Sequence, residues 1–159
     1  MGDRFDEIPA QVDELLGILS RQLARLNGFE TDIVPKIGRT SDSVLIPVQI
    51  LESAFTAIET LFVRVSQAFE NHLIADRWHA DLLDKMILEV PGVRPRVIAA
   101  ETQARLRELM RFRGSTRYYF ELDYDWRKID LLVLLFREAV PLLERDLGSF
   151  AAKLKAVLD

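Results

Sequence analysis

The chain has 159 residues, of which 49% are hydrophobic and 29% charged. That suits one domain, whose folding hides about 70% of the unfolded chain's surface without covalent staples. It has no cysteine and only His72 and His79, which excludes disulfides, thiolate metal sites and cysteine nucleophiles and argues against a multi-histidine metal centre. The net charge of −4 excludes a uniformly basic nucleic-acid coat but leaves room for a local basic patch. Residues 1–14 contain no apolar signal segment, Asp6 stands where myristoylation favours Ser or Thr, and no run approaches about 18 uninterrupted apolar residues. The expectation is a single cytoplasmic domain over 1–159 without membrane contact.

Glycine and proline are scarce, and apolar residues recur at spacings of three and four, so helix is predicted almost throughout. The first predicted helix runs from about Asp6 to Asn27. Ile8, Val12, Leu15, Leu19, Leu23 and Leu26 form its buried stripe, and Gly28 is a natural stop. Residues 29–41 hold Pro35, Gly38 and Thr40-Ser41-Asp42 and read as a loop. The second helix covers about 43–71, with Leu51, Phe55, Ile58, Phe62, Val65 and Phe69 on one face. Pro47 opens or kinks it. The third covers about 77–90 behind an Asp76 cap and ends at Pro91-Gly92; residues 93–96 connect onward. The fourth starts near Ala99, reaches Arg113 and is carried to about Tyr119. The fifth follows an Asp123 cap and continues to about Val157, with a kink expected at Pro141. Long helices and short connections favour an all-α, up-and-down antiparallel bundle of four to five helices.

Residues 105–120 do not read as plain core, since five arginines and one glutamate fall within them. On a helical wheel Leu106, Leu109 and Met110 define the apolar face. Arg113 and Arg117 fall on that same face, whereas Arg105, Arg107 and Arg111 point to the flanks. Two permanent cations on a packing face are costly unless resolved. The stems can snorkel; internal carboxylates can pair them, with Glu52 and Glu59 the candidates; or the pair can line a groove for an anion such as an RNA phosphate.

Several pieces, taken in order, resemble the HEPN superfamily and within it the HepT-like toxins of bacterial toxin–antitoxin systems. Ala57-Ile58-Glu59-Thr60-Leu61-Phe62 looks like the family's helix with a central Glu. The run from Trp78-His79 through Leu82-Leu83 to Met86 is similar to a WHxxLLxxM pattern of one branch, and Val90 to Pro95 is similar to its connector. Leu109 to Arg113 and Tyr119 to Asp123 bracket the motif site. The resemblance spans roughly residues 45–150. It implies a HEPN-like bundle, a homodimer whose two motifs line one cleft, no cofactor, no metal, and RNA cleavage by an Arg that holds the phosphate and a His that moves protons. It also implies a nucleotidyltransferase-type antitoxin partner that modifies the motif Tyr.

This sequence departs from the family's R-x4-H-x-Y motif. Arg113 and Arg117 match its arginines. Gly114 replaces a branch His, Tyr118 replaces the motif His, and Phe120 replaces the modifiable Tyr. The site so implied has Arg113 and Tyr118 as a degenerate catalytic pair, Arg111, Arg113 and Arg117 on RNA phosphate, and Glu59 in support. A phenol near pKa 10 shuttles protons poorly at neutral pH, and general acid–base catalysis contributes about 10²–10⁴-fold, so impaired cleavage is expected. An active ribonuclease and a purely structural bundle stand as alternatives.

Other polar residues have plainer readings. His79 is expected to be partly buried and hydrogen-bonded, and His72 to favour a helix C-terminus. Glu121, Asp123, Asp125 and Asp130 cluster at a helix start, where capping and dipole matching explain them without a cation.

Overall fold

In a computed structural model of the chain, the described residues are 2–69, 78–116 and 123–158. Six helices follow in order: α1 (Gly2–Gly28), α2 (Val34–Ile37), α3 (Leu45–Phe69), α4 (Trp78–Met86), α5 (Ala100–Thr116) and α6 (Trp126–Leu158). A π-helical turn, Phe29–Ile33, joins α1 to α2. The described residues contain no strand; a lone bridge pairs Val90 with Arg94.

The predicted stripes become the core. Ile8, Val12, Leu15, Leu19 and Leu26 of α1 are buried, and Leu23 is partly so. On α3, Leu51, Phe55, Ile58, Phe62 and Val65 are buried, and Phe69 packs against them. Eleven residues of α6, from Ile129 to Leu154, close the third side. By length and composition α3 also passes as a membrane span. Its apolar side chains are instead used inside the bundle, which fits a core helix.

Cross-links establish the chain direction. Phe5 meets Phe69 edge-on at 4.8 Å, and Leu15 and Ile18 share a cavity wall with Ala57 and Leu61, so α1 and α3 run antiparallel. Between α5 and α6, Ala99 bonds Asp146, Arg105 bonds Glu138, and Glu108 lies 3.7 Å from Lys128. The descending numbers make this pair antiparallel too.

Four boundaries differ from the sequence reading. Gly28 is the last residue of α1 but is right-handed helical (φ −61°, ψ −39°) and does not turn the chain out of helix. The chain winds on through residues read as loop, because a wide π-turn keeps Phe29 in the core. The stop is Gly38, at φ 74° and ψ −178°, a region open essentially to glycine alone. Ser43 and Thr40 then cap each other's N–H groups (2.9 and 2.8 Å) and open α3. Pro47 sits in the first turn of α3, where its missing N–H costs nothing. Third, α4 ends at Met86, before the predicted Val90. The buried Arg94 guanidinium donates to the carbonyls of Lys85 (2.7 Å) and Leu88 (2.9 Å), while Val97 and Ile98 N–H groups take the Met86 carbonyl. Gly92 makes the intervening turn with φ 75°. Fourth, Asp125, not Asp123, caps α6: its Oδ1 accepts from the Arg127 N–H at 2.9 Å. The helix is continuous through Pro141. The Asp76 cap, His72 and the carriage of α5 to Tyr119 lie outside the described residues, as does the His79 side chain.

Candidate functional site

Helix α5 buries Leu106 and Leu109, as the wheel predicts, together with Thr102 and Phe112, while Met110 is only partly buried. Arg113 in its last turn reaches across to α3. Its Nε donates to Thr56 Oγ1 at 2.9 Å, and its Nη1 to Glu59 Oε1 at 3.4 Å. The Thr56 hydroxyl in turn donates to the Glu52 carbonyl at 2.8 Å, which leaves a lone pair aimed at the guanidinium. Thr56 and Glu59 stand three residues apart and so share one face of α3.

Of the two carboxylates the sequence offered, Glu59 takes the ion pair. Its side chain is 11% exposed and that of Arg113 is 22%. A carboxylate so far out of water needs a compensating cation. Arg113 therefore neither splays into solvent nor lies sealed in the core. Glu52 acts elsewhere: burial, followed by the Glu52 charge, pushes the Tyr124 phenol above its ordinary value. Tyr124 also packs 6.1 Å from Phe112. Thr56 and Tyr124 were not singled out from the sequence. Thr56 was legible in principle, being three residues before Glu59, whereas Tyr124 gave no signal of its own.

Arg111 does not converge with Arg113. Residues two apart point to different sides of a helix, and Arg111 is 64% exposed, bonded to Glu108 of its own helix at 2.6 Å. Arg105 bonds Glu138 and Arg107 bonds Asp84, each at 3.1 Å. Both therefore occupy the predicted flanks. Arg117, Tyr118 and Phe120 lie outside the described residues.

The acidic residues near the start of α6 separate. Asp125 caps the helix and Asp130 pairs with Arg39, so Asp130 is not the capping or dipole residue expected of it. Glu121 lies outside the described residues. Among the described residues no three His, Cys, Asp or Glu side chains gather as a metal-holding group.

A helical bundle with a partly exposed arginine held between two of its helices narrows the class of protein. A family model described as HepT-like protein matches residues 47–154, roughly two thirds of the chain. The chain belongs to the HepT-like protein family. Curated proteins and solved structures gave no match.

Proposed function

We propose that this chain is a HepT-like protein of toxin–antitoxin type that binds RNA phosphate through Arg113, with Arg117 alongside and without Arg111, in a cleft between two copies. Its nuclease is impaired because Tyr118 stands where the family motif has His. The observation that carries the reading is the posture of Arg113: fixed by Thr56 and Glu59, yet about one fifth exposed. A guanidinium oriented before binding loses less freedom when it meets a phosphate. Glu59 is the supporting residue. The partner is a nucleotidyltransferase-type antitoxin, the assembly a homodimer and the compartment the cytoplasm.

A second reading has a specific observation in its favour. Arg105, Arg107, Arg111 and Arg113 all stand beside carboxylates, three of them on other helices (α6, α4 and α3) and one on α5 itself. On that reading the arginines serve the bundle alone.

RNA binding and cleavage by purified protein separate these readings. The wild type is compared with Arg113→Ala and with the double variant Gly114→His/Tyr118→His. The proposal expects salt-dependent RNA binding, lost in Arg113→Ala, and cleavage only once the histidines are restored. Cleavage by the wild type that Arg113→Ala abolishes overturns the impairment and leaves an active ribonuclease. Absence of both binding and cutting from every form leaves the structural bundle.

A further inference from the structure

A cavity of about 220 Å³ opens between the π-turn and the start of α6. Its floor and walls are Leu26, Phe29, Val34, Pro47, Ile129 and Val133. Trp126 stands at one side, its ring plane within 6° of that of Phe29 and the centroids 6.2 Å apart. Glu30, Asp130 and Arg39 complete the lining.

The chain itself occupies this mouth with a cation. The Arg39 guanidinium carbon lies 4.3 Å above the Trp126 ring centroid, and its Nη2 is paired with Asp130. Trp126 is held in place from the other side, its Nε1–H donating to the Thr40 carbonyl at 2.9 Å. Gly38, in its glycine-only conformation, makes the bend immediately before Arg39. Glu30 is balanced by Arg137, whose Nη2 stands 2.9 Å from Glu30 Oε2 at an angle short of a hydrogen bond. Asp130 is therefore the carboxylate whose partner can exchange. Arg39 and Asp130 are both about half exposed, and an exposed ion pair plus an exposed cation–π contact hold Arg39 by a factor of roughly ten.

We propose that this cavity binds a small organic cation with a flat head, a guanidinium or amidinium on an apolar body. The head replaces Arg39 over Trp126 and against Asp130, and the body sinks onto the apolar floor. Three features support it. The seat already shows a preference for a planar cation, since it holds one. With Glu30 held by Arg137, displacement of Arg39 leaves Asp130 as the unbalanced charge at the mouth, so an anion is disfavoured there. A π-helical turn, a feature frequent at functional sites, shapes the wall. Leu26, Phe29, Glu30, Val34 and Arg39 precede the family match, whereas Pro47, Trp126, Ile129, Asp130 and Val133 lie within it.

Benzamidine is the probe, with benzoate as its anionic counterpart. The full chain is titrated with each while the Trp126 indole N–H resonance is followed by NMR, assigned from Trp126→Phe. Benzamidine is expected to shift that resonance saturably and benzoate to leave it in place. Arg39→Ala, which removes the internal competitor, tightens benzamidine roughly tenfold, and Asp130→Asn weakens it by a similar factor. Equal response to benzoate, or an affinity unmoved by Arg39→Ala, overturns the proposal. So does an indole resonance that stays fixed in the Arg39→Ala protein. Both substitutions are at exposed side chains, and retained helical circular dichroism shows that the fold persists. None of these readouts involves RNA, so this site and the Arg113 reading stand or fall separately.

Discussion

Asp146 holds the start of the helix that carries Arg113, and its loss has a calculable cost. The residues before α5, Arg96-Val97-Ile98-Ala99, include no Ser, Thr, Asp or Asn to act as a local cap. Asp146 of α6 supplies one across the bundle. Its Oδ2 accepts from the Ala99 N–H at 2.9 Å and from the Thr102 hydroxyl at 2.6 Å, and its Oδ1 accepts from Arg145 Nε at 2.9 Å. Thr102 is fully buried and the Asp146 side chain is 8% exposed. Asp146→Ala strands two donors away from water. A lost cap costs about 1 kcal/mol and a lost hydrogen bond to a charged group about 1.5–3 kcal/mol, so about 3 kcal/mol is expected in total. Arg145 is half exposed and adds little. For a chain of this size the melting temperature falls by about 10 °C. Burial by itself would raise the Asp146 carboxyl, but the bonds from Ala99, Thr102 and Arg145 together outweigh it and hold the carboxyl below its usual range. Its contribution is then complete above the ordinary carboxylate value near 4 and vanishes as pH falls through the lower folded value. Urea unfolding of wild type and Asp146→Asn at neutral pH and near pH 3 measures this. The stability gap between the two proteins must shrink on acidification. A gap that stays constant with pH, or a loss under about 0.5 kcal/mol in Asp146→Ala, refutes the assignment of Asp146 as the cap of α5.

Three further substitutions follow from single contacts. Gly38→Ala forces a side chain into a glycine-only conformation and costs about 2 kcal/mol by urea unfolding, with a loss of order in the Trp126 indole resonance as Arg39 is displaced. Ser66 is fully buried and its hydroxyl has no hydrogen-bond partner among the described residues, so Ser66→Ala is neutral or stabilises by up to about 1 kcal/mol in the same assay. Arg113→Lys keeps the charge but lacks the planar fork that spans Thr56 and Glu59. It lowers stability by about 1 kcal/mol and weakens RNA binding more than the same charge-conserving exchange at the exposed Arg111, Arg111→Lys, measured as the control.

The helix stripes and the inward position of Arg113 were legible because both follow from periodicity. Every residue of the α1 and α3 stripes is buried or packs against the core. Periodicity does not say how a helix ends. Gly28 and Pro35 read as loop punctuation, yet burial of Phe29 pulls the chain through a π-turn to Gly38. Nor does it select among carboxylates at a distance. Glu52 and Glu59 lie seven residues apart on nearly the same side of α3, and only the position of α5 gives Glu59 the arginine. Asp130 looked like part of an acidic helix start, and its pairing with Arg39 across 91 residues is a tertiary fact. The Asp146 cap is of the same kind: an absent local cap is visible in sequence, but its replacement is not.

The basic character of α5 is thus largely cancelled inside the protein, in keeping with a chain of net charge −4. Exposed pairs such as Arg107–Asp84 and Arg111–Glu108 are each worth about 0–1 kcal/mol and are screened by salt. They do little more than suppress repulsion along the helix. Arg113–Glu59 differs because both partners are mostly withdrawn from water, so desolvation couples them more strongly. Glu59 thereby gives Arg113 its direction, and on the proposed RNA-binding reading it also competes with an incoming phosphate for the guanidinium's charge. A bound phosphate then has to share the guanidinium with Glu59, which remains nearly buried and cannot be left without a cation. That competition favours an anion approaching the exposed edge of the fork over one that displaces the carboxylate. It also explains why an arginine, with five donors in one plane, suits position 113 where a lysine would serve only one partner at a time.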